Sequence, residues 1–179
     1  MKVFFAIVVL SSFCYHTSFA QEANDVRWFE TIFQASHRIP TEKEIEKKQN
    51  DKLIAIENND PEKEIRVLME LGAIHLTKSK SREEALEYFI QALALEDSLR
   101  LDHEKVFTLL AIARVFEEVF EFERSLEYAD QTRELNETDK DHNVLMLILK
   151  KNARIHTKNG DTETAIEKYQ EILSYAEKC

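Results

Sequence analysis

Apolar residues along most of this chain recur at spacings of three and four, the period of a helix that buries one stripe. "EEALEYFIQAL", starting at Glu83, is one such stretch. "ERSLEYADQTREL" at Glu123 carries Leu-Glu-Tyr in the same frame forty residues later, and "TETAIEKYQEI" at Thr162 continues it as Ile-Glu-Lys. Shifting the chain by forty superposes Ala73, Ala113 and Ala153, and also Met69, Leu109 and Leu149. Leu76, Phe116 and His156 follow on the same face. Twelve residues after each alanine stand Ala85, Ser125 and Ala165, then Phe89, Ala129 and Tyr169, then Ala92, Thr132 and Ile172. Each unit therefore reads as two amphipathic helices with a break between them. A single hairpin of this kind cannot bury its stripe alone, so units stack and share a core. Small residues at 73, 113 and 153 are expected to face those at 85, 125 and 165, and Phe89 and Tyr169 to fill the wedge against the next hairpin.

Boundary signals agree with this division. Asp60-Pro61 is an N-cap followed by proline at the first helical position. Ser81 with Glu84, and Thr41 with Glu44, have capping-box spacing. Asn159-Gly160 is a left-handed stop, with Asp161 capping the next helix. The middle hairpin carries no turn residue, because Phe120 stands where Gly160 stands forty residues later; one continuous helix over 104–136 is the competing reading. The ruler extends weakly to residues 22–58, a degenerate hairpin that caps the array with Trp28 and Phe29 against the first full repeat. The expected fold class is an all-α helical-hairpin solenoid of about seven to eight helices. Its divisions are 1–20, a cap over 21–60, and three repeats over 61–179 (about 61–100, 101–140 and 141–179).

Composition narrows the function classes. Two Gly and two Pro in 179 residues argue against sandwiches and Gly-rich phosphate loops. Residues 1–20, "MKVFFAIVVLSSFCYHTSFA", have the layout of a secretory signal peptide: Lys2, a short apolar run, and Ser18 and Ala20 at the small positions before a cut. An uncleaved anchor is the alternative reading, and a lipoprotein site at Cys14 is weaker because Phe13 is bulky. Cleavage would take the net charge from −10 to −11, since only Lys2 leaves, and Cys179 would remain alone. So acidic a chain repels phosphate backbones, which disfavours nucleic acid as a partner. The expected location is exported, periplasmic or secreted, with no membrane span after cleavage.

Catalytic chemistry has little to stand on. His37, His75, His103, His142 and His156 form no His-Glu-x-x-His pair and join no cysteine at a metal-ligand spacing. Adjacent acids such as Glu83-Glu84 point about 100° apart on a helix. Asn136-Glu137-Thr138 is a glycosylation sequon, meaningful only in a eukaryotic secretory pathway. No catalytic, metal or cofactor residues are assigned, and no cofactor is expected.

The spacing of Met69, Gly72, Ala73, Leu76, Ala85, Phe89 and Ala92 resembles the tetratricopeptide repeat. Phe122 to Tyr128, "FERSLEY", resembles the usual opening of that repeat's second helix. The period here is longer than the usual ~34 residues, which is similar to the extended bacterial variety. Asn152 and His156 depart from the pattern in the third unit.

The resemblance implies that first helices line a groove holding a peptide or protein segment. Glu70, Ile74 and Lys78 would be its first-unit positions, Leu110, Arg114 and Glu117 its second, and Lys150, Arg154 and Lys158 its third. Arg114, Lys150, Arg154 and Lys158 would then form a basic strip suited to an acidic segment, or else be ordinary solvated helix charges. A homodimer through the open C-terminal repeat is a further expectation. The alternative function is the input domain of a membrane signalling protein, kinase or transcriptional regulator, with its output part elsewhere.

Overall fold

A computed structural model describes residues 24–34, 42–79, 81–139 and 141–176. Among them are eight α-helices and no strand: α1 (24–34), α2 (Glu42–Glu57), α3 (Pro61–Ile74), α4 (Arg82–Leu99), α5 (Asp102–Glu118), α6 (Phe122–Asp139), α7 (His142–Asn159) and α8 (Thr162–Ala176). A π-helical turn, His75–Ser79, prolongs α3.

The chain enters and leaves these helices where local chemistry directs it. Asp60 Oδ1 accepts from the Lys63 N–H at 3.1 Å, with Pro61 in the first turn. Asp141 accepts from Asn143 and Val144 at the start of α7, and Asp161 from Thr164 at the start of α8. Gly160 stops α7 at φ 81°. Phe120 does the same after α5 at φ 63°, so residues 104–136 are two helices and not one. Ser81 differs from expectation. Its backbone is extended as a cap requires, but its side chain makes no capping bond; its N–H is tied back to the His75 carbonyl beyond the π turn. Thr41 lies outside the described residues.

Helices α3 and α4, α5 and α6, and α7 and α8 pair, while α2 packs on α3, α4 on α5 and α6 on α7. The small residues at the pair contacts, Ala73, Ala85, Ala113, Ser125, Ala153 and Ala165, are all buried. In the middle pair the Ser125 hydroxyl donates to the Ala113 carbonyl at 2.7 Å, which only a close helix approach allows. Gly72 leaves the space that the Phe89 ring occupies, so a Cβ there would overlap it. Leu68, Met69, Leu109, Ile112, Ile148 and Leu149 run through the shared core, each contributing roughly 1.5–3 kcal/mol by burial. Tyr169 does not fill a wedge: it is exposed on α8 beside Ile166 and Leu173, where no further helix packs among the described residues.

Candidate functional site

Helices α3, α5 and α7 share one face, and α1 lies on it. Phe29 and Phe33, four residues apart and so on one side of α1, are both buried. The Phe29 ring sits 5.5 Å from Phe107 of α5, and the Phe33 ring 6.3 Å from Phe89 of α4. The Arg114 guanidinium of α5 covers Phe33 at 4.5 Å, and Lys151 of α7 lies 5.8 Å from the Phe29 centroid, both within cation–π range. Ion pairs tie α1 down near its start and at its middle. Asp25 pairs with Arg66 of α3 at 2.7 Å, and Glu30 with Lys150 of α7 at 2.9 Å.

The far end of this face is a charge cluster built around one buried acid. Glu117 is almost wholly removed from water and ion-pairs with both Arg154 and Lys158. Burial, with Arg154 and Arg114 nearby, pushes the Lys151 ammonium down to about 8 against the opposing pull of Glu117 and Glu30. Burial and Arg154 likewise hold Arg114 below its ordinary value. Cations crowd here because α7 brings Lys151, Arg154 and Lys158 to the face where α5 brings Arg114, and Glu117 is the acid that makes this tolerable.

A cavity of about 350 Å³ opens where α1, α3, the end of α4 and the start of α5 meet. Trp28, Ile65, Met69 and Phe107 form its apolar walls, and Glu62 and Glu104 stand exposed at its edge. Its lining also includes Glu96, only 1% exposed. One Glu96 oxygen accepts from the Thr108 hydroxyl at 2.7 Å; the other has no hydrogen-bond partner. Burial pushes this carboxyl up to about 8, opposed by the Thr108 hydrogen bond and assisted by Glu104 and Asp97.

No family model matches the sequence, and none of the curated proteins matches it. Solved structures do. The apo form of RapI superposes with a TM-score of 0.68 at 17% identity, covering 86% of this chain and 57% of that one. A putative kinesin light chain from Podosopora anserina, built of nearly identical TPR-like repeats, superposes at 0.50 with 14% identity, covering 89% of this chain and 88% of that one. The fold is a tetratricopeptide-like solenoid. The chain spans little more than half the length of RapI, and at these identities the likeness is one of fold.

Within this tetratricopeptide-like array the sequence-derived positions separate into groups. Arg114, Glu117, Arg154 and Lys158 come together in the charge cluster, and Lys150 holds α1 through Glu30. Leu110 and Ile74 are buried in the packing. Glu70 pairs with Lys48 of α2, and Lys78 is half-buried in the π turn. Sequence reasoning passed over Lys151, Phe33 as a groove anchor, and Glu96. Glu96 had a signal: in α4 it continues the spacing of Ala85, Phe89 and Ala92, where the stripe calls for an apolar residue.

Proposed function

We propose that the chain is a protein-interaction module whose α3–α5–α7 face receives an amphipathic helix. One observation carries this: the face already holds such a helix, α1, by two aromatic anchors and two acid–base pairs. The preferred partner is a protein segment with aromatics four residues apart and an acid beside them, as in Phe29, Glu30 and Phe33. The basic groups opposite, Lys150, Lys151 and Arg114, favour such an acidic segment. The chain is exported, on the reading of residues 1–20 as a signal peptide.

The test uses the full chain. Phe29→Ala with Phe33→Ala frees the face, and a fluorescein-labelled peptide copying residues 24–34 is then titrated by fluorescence anisotropy. Saturable binding to the variant, at least tenfold tighter than to the wild type and weakened by a further Lys150→Glu, supports the reading. Equal binding to both chains, or none to either, rejects it.

Self-association belongs to the same reading. Ile166, Tyr169 and Leu173 place an exposed apolar stripe on α8, and a second copy would cover it. Sedimentation should report a dimer that Leu173→Glu dissociates; a monomer at all concentrations would remove this part.

A further inference from the structure

We propose that the cavity between α1, α3, α4 and α5 is a binding site for a small organic cation, an amine with an apolar body, whose charged end is received by Glu96. This goes beyond the groove: a chain whose groove takes no outside helix would still have this site. Four observations support it. The cavity, at about 350 Å³, falls within the range of small-molecule sites. Its walls are apolar and aromatic, Trp28, Ile65, Met69 and Phe107. A carboxyl oxygen of a nearly inaccessible side chain there lacks any hydrogen-bond partner, which is rare for a buried polar group. The remaining charge is negative: Arg66 is committed to Asp25, while Glu62 and Glu104 stand exposed at the edge. His103 adds an imidazole to the lining.

A molecular cation fits better than a metal ion. Among the described residues no three His, Cys, Asp or Glu side chains are placed to hold a metal, so the acids are spread around a volume and not gathered on a point. The Trp28 ring, which carries the Arg66 guanidinium at 5.0 Å, and the largely buried Phe107 ring are parts of the wall that an aliphatic or aromatic body packs against. The charged end then meets Glu96, which ionises as it receives the cation and releases its proton to solvent. Groups able to modulate that ionisation are Asp25 of α1, Glu62 and Arg66 of α3, Asp97 of α4, and His103, Glu104 and Lys105 of α5. Because Glu96 binds its proton up to about pH 8, affinity should rise about tenfold per pH unit below that value and level off above it.

Trp28 is the only tryptophan of the chain and lies on the cavity wall, so its fluorescence reports the site directly. The full-length protein is titrated with phenethylammonium and, separately, with the uncharged isostere 2-phenylethanol. The expected result is a saturable change in Trp28 emission with the amine, at least tenfold weaker with the alcohol. The amine should tighten about tenfold from pH 6 to pH 7. Glu96→Gln should weaken the amine at least tenfold and erase the pH dependence, with an unchanged circular dichroism spectrum showing that it remains folded. No saturable response to the amine overturns the proposal. So does equal response to amine and alcohol, or full binding by the Glu96→Gln chain. None of these results depends on the groove peptide, whose binding is read separately.

Discussion

Replacing Glu96 by Gln should stabilise the protein, and by an amount that depends on pH. The carboxyl is buried, and its pKa is raised from 4.5 to about 8 by loss of hydration. Above pH 4.5 the unfolded chain sheds this proton while the folded chain keeps it, so the folded state binds more protons. The stability this group contributes is therefore full below pH 4.5 and is lost progressively as pH rises to 8. At 1.36 kcal/mol per unit, the two and a half units between 4.5 and neutrality amount to about 3 kcal/mol. That is a large part of the ~5–15 kcal/mol by which domains are stable. Glutamine has nearly the same shape, accepts from Thr108 through its amide oxygen as the carboxyl does, and never ionises. Urea unfolding followed by circular dichroism should place wild type and Glu96→Gln close together near pH 4.5 and about 3 kcal/mol apart near pH 7, with the variant the more stable. An offset that is the same at both pH values would refute the reasoning, since it would mean that Glu96 titrates alike in the folded and unfolded chains.

Three further substitutions examine the packing. Glu117→Ala removes the acid shared by Arg154 and Lys158; about 2 kcal/mol should be lost, less than for a fully buried pair because both cations reach water, and an unshifted urea midpoint would refute it. Phe120→Gly relieves a side chain held at φ 63° in solvent and should raise stability by about 1 kcal/mol, a lowered midpoint being the contrary result. Ala113→Leu crowds the contact where Ser125 meets the Ala113 carbonyl and should cost roughly 1–3 kcal/mol in the same assay, whereas no loss would show that the two helices are not in close register.

The helical class and the hairpin pairs were legible because they rest on local terms: stripe spacing, Asp60, Asp161 and Gly160 act within a turn of where they stand. Even Phe120, a poor turn former, was placed by analogy with Gly160 rather than by its own preference, and the chain accepts the strain because Val115 and Phe116 before the turn and Ser125 after it are buried. What α1 covers was not legible. Trp28, Phe29, Ile32 and Phe33 announce a helix that must bury itself, but apolar stripes are interchangeable, and nothing local favours the α5 and α7 face over the outer side of α3. The pairing of charges fails for the same reason. Lys150 and Arg154 read as one basic strip, yet one holds Glu30 and the other Glu117, because the nearest acid is decided by packing.

The position of α1 links the two proposals. Phe29 and Phe33 fill the groove, while Trp28 and Asp25 on the same short helix wall the cavity. A helix cannot leave one without opening the other. A ligand held in the cavity at a hundred times its dissociation constant would add about 2.7 kcal/mol to the docked state, and an outside helix would have to overcome that before it could occupy the groove. The proposed partner groove and the proposed cation cavity are thus separate in chemistry but share one helix, α1.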